Sequence, residues 1–507
     1  MLDRAACRTM NIRETARPMY PKAAPYRGSG CHRTFKNAVR PLLIILPFLL
    51  SGCALGPRFH RPNTAIPRHF VGAPQNARPA WPTKTWWRGF HSSALNTFMT
   101  EAEQRNFTIR IAVAQLEAAN AEVQVLGAPL LPTLSANGNG QWQRAPRARV
   151  PFGTVQGLGN RQFSASLQAS YELDFWGKNR DALRAAEASA AASRFNRDTV
   201  ALTALSAVAT TWFQIVADHA ALTIGLRNLA VAQTLLAQLK AELFAGTTDA
   251  VVVDQQAALV ASERATIPTL RSQWRQEMLA LGILIGKSPK LLPLPKRRLA
   301  SLTVPKIGSG LPAQLLERRP DVAQAEANLI AANANVRGAI ADFFPTISLT
   351  GSSGWTSSAL DSLLAPGSLL LSAATSVSQP IFEGGALMGR LAVARATYRE
   401  DVALYEETVV QAFTDVDTAL TALHYATQHE RREAQAVAEA RTALHAVRAQ
   451  LAAGIVDVST VLNAEQTLLT DENSYTQAQL TRLDAAVSLY KALGGGWHAP
   501  ASLIAGH

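Results

Sequence analysis

Cys53 is the residue whose type and setting point most clearly to chemistry. The chain has three cysteines, and the other two, Cys7 and Cys31, lie upstream of it, so the chain beyond Cys53 contains none. Cys53 follows a short apolar run, Leu42 to Leu50, and is preceded by Ser51-Gly52. A lone thiol in an oxidising compartment has no disulfide partner, which favours covalent modification of its sulfur.

The segment before Cys53 predicts an export signal. The apolar run of about nine residues is far shorter than the ~20 residues that a transmembrane helix needs, and Arg33, Lys36 and Arg40 precede it. This order of features is typical of a secretory signal. Its end resembles a bacterial lipobox, in which the cysteine is acylated and becomes the new N-terminus. The alternative is an ordinary small buried cysteine near a cleavage site.

Two aspartates are further candidates. Asp249 and Asp457 each lie three residues after a glycine, Gly246 and Gly454, that ends a long helical pattern. One hypothesis is that these carboxylates gate or select solutes. The other is that they only accept hydrogen bonds from the first amides of the following helices, as aspartate commonly does.

No motif for catalysis occurs in the sequence. A Gly-x-Ser-x-Gly elbow, a phosphate loop and a dinucleotide fingerprint are all absent. His424 and His429 are five residues apart on a predicted helix, so they face different sides and make a poor metal pair. We expect no enzymatic activity, no metal, and no cofactor other than a covalent lipid on Cys53.

The charge of the chain does not indicate a nucleic-acid partner. The formal net charge is +12, but residues 1–52 hold nine basic and two acidic residues, which leaves 12 − 7 = +5 for the rest. That remainder shows no basic stripe with interleaved aromatic residues, so the charge pattern argues against a nucleic-acid partner. A charged fraction of only 17% and frequent alanine favour long helices.

The sequence repeats itself at a spacing near 208 residues. Leu131-Pro132-Thr133 returns as Phe344-Pro345-Thr346, Phe244-Ala245-Gly246 as Ala452-Ala453-Gly454, and Leu284-Ile285-Gly286 as Ala492-Leu493-Gly494. A unit this long is not a solenoid repeat. The order of these landmarks predicts a duplicated half-molecule.

Each half contains two segments that alternate apolar and polar residues. Apolar residues occupy every odd position from Phe163 to Leu173, and the stretch Leu134 to Trp142 alternates in the same way. A soluble sheet with one face on a core is one interpretation. A membrane barrel is favoured, because the polar face is Ser, Asn, Gln and Thr and each strand has about 10 residues. Four strands cannot close alone, since the smallest barrels need about 8, but three copies would supply twelve.

Each half also contains a very long helical hairpin. The stretches 178–245 and 386–453 contain no proline, and at 1.5 Å per residue such a helix extends about 100 Å. Shorter helices return from each turn to Gly286 and Gly494, and helices at 102–126 and 321–340 precede the strands. We predict a mainly α protein with a small membrane β part, built from two copies of a strand hairpin plus a very long helical hairpin.

These motifs resemble the TolC superfamily, and within it the OprM/NodT group of outer-membrane efflux lipoproteins. The resemblance rests on the lipobox with Gly56-Pro57, the pair Trp86-Trp87, the segment 379–385 and the segment 489–497. It implies a homotrimeric twelve-stranded β-barrel on an α-helical periplasmic tunnel, anchored in the outer membrane through an N-acyl diglyceride on Cys53. It also implies a passive exit duct that docks with a periplasmic membrane-fusion adaptor and an inner-membrane transporter.

The resemblance also assigns site residues. Adaptors in this family engage the turns at the periplasmic tip, which here contain Gly246, Thr247, Gly454 and Ile455. The family narrows its pore near these turns with aspartate rings, but the matching positions here are Val252 and Asn463, which argues against an acidic gate at those levels. Candidate aperture residues are therefore Asp249, Val252, Asp254, Asp457 and Asn463, and a trimer would bring six carboxylates from Asp249 and Asp457 to its mouth.

The predicted organisation begins with residues 1–52, a signal peptide preceded by an extension that results from a misassigned start codon. A lipidated segment follows over 53–100. The two repeats occupy 101–286 and 311–494, joined by a linker over 287–310, and a tail follows over 495–507. A lipid-anchored periplasmic coiled-coil scaffold is the alternative function, and an outer-membrane enzyme or single-chain barrel is a third. The exported substrate is not specified by these residues.

Overall fold

The computed structural model describes residues 56–64, 67, 69–71, 81–144, 148–150, 153–155, 159–288, 299, 302–305 and 312–499. The chain divides into Met1–Gly52, which lies outside the described residues, and Cys53–His507, to which the following refers. Cys53 and the predicted signal peptide are also outside the described residues.

The first half begins with a 3-10 turn at Trp86–Phe90. Its helices and strands are α1 (Ser93–Arg105), α2 (Phe107–Gly127), β1 (Thr133–Arg144), β2 (Ala148–Val150), β3 (Gly153–Val155), β4 (Gly159–Leu173), α3 (Lys178–Phe244) and α4 (Ala250–Leu284). The small β2–β3 hairpin was not predicted. The predicted boundary between residues 100 and 101 falls inside α1.

The second half repeats this order. Its elements are α5 (Pro312–Leu315), α6 (Pro320–Ala341), β5 (Thr346–Ser357), β6 (Leu369–Ser378), α7 (Ala386–Ala452) and α8 (Val458–Ala492). Adding 213 to the bounds of β1 gives those of β5, and adding 208 to the bounds of α3 and α4 gives those of α7 and α8. The predicted duplication and both long helices are therefore confirmed almost to the residue.

The helix predicted from Ala102 to Leu126 is wrong at its start. The structure has two helices there, because Asn106 interrupts the hydrogen-bond ladder: its carboxamide oxygen accepts from the Ile109 amide at 3.1 Å, and its Nδ2 donates to the Leu284 carbonyl at 2.7 Å. Asn106 thus caps α2 and joins it to the end of α4. Such a local side-chain cap competes with a continuous helix.

Arg319 is the counterpart of Asn106 in the second half. Its guanidinium pairs with Asp321 (Nη2 to Oδ2, 2.5 Å) and with Asp415 (Nη2 to Oδ2, 2.9 Å), and it donates to the Ala412 and Ala492 carbonyls. Burial alone would lower the pKa of Arg319, but the hydrogen bond and charge of Asp321 and the charge of Asp415 raise that pKa above its ordinary value. One side chain therefore ties the start of α6 to α7 and to the end of α8.

Glycine ends each half for a steric reason. Gly286 (φ 64°) and Gly494 (φ 79°) follow α4 and α8 in left-handed conformations. A Cβ on Gly286 would lie 2.6 Å from the Arg105 carbonyl oxygen, and one on Gly494 would collide with the Arg318 carbonyl oxygen. The ends of the return helices can approach these carbonyls only because no side chain intervenes.

The long helix α3 is apolar enough to require explanation. Among the described helices, Lys178–Phe244 is long and apolar enough to cross a membrane by length and composition, but 56% of its apolar window is buried inside the protein. Val208, Phe213 and Ile215 of this helix are fully buried and pack in a cluster with Trp86, Phe90 and other side chains. Its apolar character therefore reflects core packing.

The sheet has the antiparallel order β1-β4-β5-β6. Leu134 pairs with Ala169 between β1 and β4, Leu167 with Ser353 between β4 and β5, and Ile347 with Val377 between β5 and β6. Strands β1 and β6 are the edges, and all of their residues are exposed. The sheet therefore presents two unpaired edges, which proteins seldom leave open.

Candidate functional site

The four-stranded sheet has one apolar and one polar face. Because paired residues in an antiparallel sheet lie on the same face, the register assigns each side chain. The apolar face contains Leu134, Ala136, Trp142, Phe163, Ala165, Leu167, Ala169, Tyr171, Leu173, Ile347, Leu349, Trp355, Leu369, Leu371, Ala373 and Val377. The same face also carries Arg144, Arg161 and Ser357 near the end remote from the helices, and Ser353 and Thr375 elsewhere. Trp142, Phe163 and Trp355 cluster towards the end remote from the helices, as in the aromatic girdle of a membrane barrel.

The opposite face is mostly polar, and Leu370 and Ala374 are its apolar side chains in the paired segments. It contains Ser135, Asn137, Asn139, Gln141, Gln162, Ser164, Ser166, Gln168, Ser170, Glu172, Ser348, Thr350, Ser352, Thr356, Ser372, Ser376 and Ser378. Serine hydroxyls pair across β5 and β6, with Ser348 to Ser376 at 2.8 Å and Ser352 to Ser372 at 2.7 Å between Oγ atoms. Within the paired segments of these strands, Glu172 is its only charged residue. Such a face suits a wet lumen that holds no particular ion tightly.

The start of α3 is fixed directly below the sheet. The carboxylate of Asp174 accepts from the amides of Asn179 and Arg180, at 3.2 and 2.9 Å. Trp176 stacks on Phe344 with ring centroids 4.9 Å apart, and Lys178 pairs with Asp342 at 2.9 Å. These contacts join the first-half strand-to-helix corner to the end of α6.

The two predicted docking turns have the same backbone geometry. Gly246 and Gly454 have φ of 72° and 71°. The Thr247 amide donates to the Glu242 carbonyl, and the Ile455 amide donates to the Gln450 carbonyl, both at 2.9 Å. This is the Schellman pattern, which satisfies the last carbonyls of a helix. All four predicted docking residues therefore lie in the turns that reverse the chain.

Asp249 and Asp457 are the N-caps of α4 and α8. Asp249 accepts one bond, from the Val251 amide at 3.2 Å. Asp457 accepts from the Thr460 hydroxyl at 2.7 Å, the Thr460 amide at 3.0 Å and the Ser459 hydroxyl at 2.9 Å. The hydrogen bonds from Thr460 and Ser459 lower the pKa of Asp457. The geometry supports the capping interpretation, while the gating hypothesis stays a prediction.

Asp457→Ala is expected to loosen the second turn more than Asp249→Ala loosens the first, because it removes three accepted hydrogen bonds rather than one. The pKa of Asp457 is lower in the folded protein than its ordinary value of 3.8. The stabilisation of the turn by its carboxylate is therefore present at pH values above 3.8, and it is lost as the pH falls through the lower pKa of the folded state. Hydrogen exchange of the first amides of α4 and α8 measures both effects. Equal exchange in the two variants would contradict the difference.

The other predicted aperture residues lie on the first turns of the return helices. Val252 is half-buried, and Asp254 is exposed on α4; Asn463 is exposed on α8, and its carbonyl accepts from the Thr467 hydroxyl at 2.9 Å. In the described part of the chain, no side-chain hydrogen bond or ion pair joins any of them to another predicted aperture residue. A narrowing at this level would need neighbouring copies.

A buried carboxylate joins the two helical hairpins, and no pattern in the sequence indicated it. Glu472 of α8 is 5% exposed. It pairs with Arg227 of α3 and with Arg441 of α7, the latter at 2.8 Å. Beside it lies a cavity of about 290 Å³, lined by residues of all four long helices. We call Arg227, Glu472 and Arg441 the hairpin clasp.

No metal site was found among the described residues: no group of three His, Cys, Asp or Glu side chains is placed to hold an ion. His424 contacts Gln428 at 2.7 Å, and His429 lies 3.7 Å from Glu433. The two histidines therefore have separate neighbours on α7.

Comparison with known proteins gives a consistent result. The chain matches the outer membrane efflux protein family over residues 99–287 and 311–495, that is, over its two halves. It is 34% identical to the pyoverdine export outer membrane protein OpmQ of Pseudomonas aeruginosa, over 90% of this chain and 96% of the relative. It is 29% identical to the cation efflux system protein CusC of Escherichia coli K12, over 89% and 99%. The open-state structure of the MtrE outer membrane channel of Neisseria gonorrhoeae has a TM-score of 0.79 at 30% identity, covering 88% of this chain and 98% of that one.

Proposed function

The chain belongs to the outer membrane efflux protein family, and from that premise we propose that three copies of it close the channel through which a tripartite efflux pump discharges. It is an outer-membrane exit duct that extends into the periplasm. The family consists of channel and transport proteins. What we propose beyond this is the assembly, the docking turns, the lipid anchor and the origin of selectivity.

The observation that supports assembly into a trimer is the sheet, which has two different faces and two unpaired edges. Four antiparallel strands have one apolar and one polar face and unpaired edges at β1 and β6. A barrel needs about 8 strands or more to close, and lipid tolerates no open edge. Three copies supply twelve strands, with the apolar faces on lipid and the polar faces around a lumen. Native mass spectrometry in detergent tests this: the mass of three mature chains supports it, and a monomer contradicts it.

The tip turns support docking to a periplasmic membrane-fusion adaptor that is in turn held by an inner-membrane transporter. Exposed apolar residues surround them: Phe244 is 96% exposed and Ile455 is 72% exposed. These side chains lie on the helix termini farthest from the sheet, where a partner can reach them. The lipid-anchored scaffold would also explain the long helices, but it gives no role to the two-faced sheet.

The residues that would line the lumen do not determine which substrate is exported. The relatives are named for pyoverdine export and cation efflux, which are chemically unlike. The polar face of this chain holds hydroxyls, carboxamides and one carboxylate, Glu172. Such a lining hydrates many solutes about equally well. Selection would therefore take place mainly at the inner-membrane transporter.

The lipid anchor on Cys53 is supported by the position of Gly56. A Cβ on Gly56 would lie 2.9 Å from Cγ of Arg337 and 3.2 Å from Cδ1 of Ile340. Both residues are in the last turns of α6, which ends at Ala341, shortly before β5 begins at Thr346. Three residues from Gly56, an acyl chain on Cys53 would reach the membrane at the base of the barrel.

Cys53→Ser is expected to abolish acylation while leaving the fold of the described residues unchanged, because Cys53 supplies the only thiol at the predicted cleavage site. Intact-mass analysis of the purified protein measures the result: the parent should carry the mass of three acyl chains and glycerol on a chain that begins at residue 53, and the variant should not. A parent chain without lipid would contradict the anchor.

A further inference from the structure

The tip of the first strand hairpin concentrates positive charge. Residues 144–161, which run from the end of β1 through β2 and β3 to the start of β4, contain no lysine, aspartate or glutamate. They do contain Arg144, Arg147, Arg149 and Arg161. The corresponding connection in the second half, residues 358–368, contains Asp361 and no basic residue. The charge therefore belongs to one of the two hairpins, at the end of the sheet remote from the helices.

Two of these arginines lie on the apolar face of the sheet. Arg161 is paired with Trp142, and Arg144 is paired with Gly159. Because paired residues share a face and successive residues alternate, both arginines lie on the face that carries Trp142 and Phe163. Both are exposed, and within the part of the chain that the structure describes neither takes part in a hydrogen bond or an ion pair. Two guanidinium groups without an anion therefore stand on the surface assigned to lipid.

Strand geometry places these arginines at the level of the lipid head groups. Leu167 lies near the middle of β4, and Arg161 lies towards the tip of the hairpin on the same face. At about 3.4 Å per residue and with the tilt of ~40° usual for a membrane strand, Arg161 is about 15 Å from Leu167 along the membrane normal. The apolar band of a membrane barrel extends only about 12 Å to each side of its middle. The guanidinium groups thus lie just beyond the hydrocarbon.

The side chains below the arginines complete a surface that suits a whole lipid. Gly140 is paired with Phe163, and a Cβ on Gly140 would lie 3.4 Å from Cδ1 of Phe163, so this ring covers the glycine. Trp142 comes next towards the tip, beside Arg161. Along one face the side chains therefore change from aliphatic to aromatic to cationic. Acyl chains, the membrane interface and the charged head group of a lipid follow one another in the same order.

Phosphate is the head-group chemistry that suits these arginines best. A guanidinium is planar and always charged, and it can donate two parallel hydrogen bonds to phosphate oxygens. Arg144 and Arg161 are diagonal neighbours across the two strands, a relation in which Cβ atoms are about 7–8 Å apart. Gly159 contributes no side chain between them. Two like charges at this spacing repel each other unless an anion lies between them.

The second hairpin shows the same surface without the arginines. Trp142 corresponds to Trp355, 213 residues later, and Arg144 corresponds to Ser357. Trp355 is paired with Leu369, whereas Trp142 is paired with Arg161. The tryptophan is thus present in both halves, and the guanidinium groups occur in one. An aromatic interface does not require the arginines, so they serve a purpose of their own.

We propose that Arg144 and Arg161 bind the phosphate groups of an anionic lipid in the outer leaflet of the outer membrane, with the acyl chains of the lipid lying on Trp142 and Phe163. The proposal rests on the proposed trimeric duct, which turns the apolar face of each sheet towards lipid and places three such sites around the rim. Lipid bound at three points fixes the height of the barrel in the membrane.

Native mass spectrometry of full-length trimers tests the site, with lipid A as the probe because its disaccharide carries two phosphates. Arg144→Gln with Arg161→Gln should weaken the binding of lipid A about 30-fold, since each arginine near an anionic lipid surface contributes roughly a factor of 5. Phosphatidylethanolamine, which is zwitterionic, should bind the parent and the variant alike. Equal binding of lipid A by the parent and the variant would overturn the proposal.

Arg431→Gln with Arg432→Gln is the matched control, because both are exposed residues of α7 and their loss removes the same charge from each copy. It should leave the binding of lipid A unchanged. An equal loss in the control would mean that net charge, and no particular site, attracts the lipid. Excess inorganic phosphate should not displace lipid A, since free phosphate makes no contact with Trp142 or Phe163, and displacement would overturn a lipid site.

Conductance separates a failure of this site from a failure of the duct. Arg144 and Arg161 are exposed, so the double variant should form conducting trimers as the parent does. Conducting trimers that bind lipid A equally well with and without the two arginines would overturn the lipid site alone. A parent protein that stays monomeric or never conducts would overturn the duct and the lipid site together.

Discussion

Leu167→Arg is expected to prevent stable insertion of the barrel, at a cost of about 2–4 kcal/mol in each copy. Leu167 lies near the middle of β4 on the apolar face and is 52% exposed in the single chain. In the closed barrel it faces hydrocarbon, where a guanidinium cannot be hydrated. Cell fractionation and the unfolding of protein folded into lipid vesicles measure the loss.

Gln168→Arg is the matched control, since Gln168 is the next residue of the same strand and lies on the polar face. An arginine there remains in water. We expect normal insertion, with the channel's preference shifted towards anions because three positive charges line the lumen. If the two variants insert equally well, the assignment of faces is wrong.

Arg319→Met is expected to lower the free energy of unfolding by about 3–5 kcal/mol, as for other buried ion pairs that lose one partner. The Arg319 side chain is 9% exposed and pairs with both Asp321 and Asp415. Methionine keeps most of the volume but leaves two carboxylates without their cation and the Ala412 and Ala492 carbonyls without their donor. Denaturation of the purified protein, followed by circular dichroism, measures the change.

The neighbouring Arg318 provides the control. Its guanidinium carbon lies 4.7 Å from the centroid of the Trp81 ring, an interaction worth about 0.5–2 kcal/mol at a half-buried site. Arg318→Met should therefore cost much less than Arg319→Met. Equal losses would mean that the Arg319 network does not hold the three elements together.

The sequence predicted those parts of the fold that depend on local pattern. The long helices α3 and α7 end where predicted, because glycines at 246 and 454 mark both turns and no proline interrupts the helices. The strands were predicted because alternation continues over ten or more residues, as in β4. Family resemblance supplied the trimer and the pump partners, which no pattern in one chain specifies.

Features that depend on contacts between distant segments were not predictable. The helix break at Asn106 requires the Leu284 carbonyl, 178 residues away. The hairpin clasp requires Glu472 to meet Arg227, 245 residues away. From the sequence, both were interpreted as ordinary charges on solvated helix faces. Candidate aperture residues such as Val252 and Asn463 came from comparison of turn positions, and their role depends on neighbouring copies.

Single-channel recording of the detergent-purified protein in planar lipid bilayers, with the native mass determined on the same sample, decides whether the protein is an exit duct. We expect particles of three chains that insert and show discrete, ohmic conductance steps, with ion preference altered by Gln168→Arg. Protein that stays monomeric, or trimers that never conduct, would contradict an exit duct built from three four-stranded sheets.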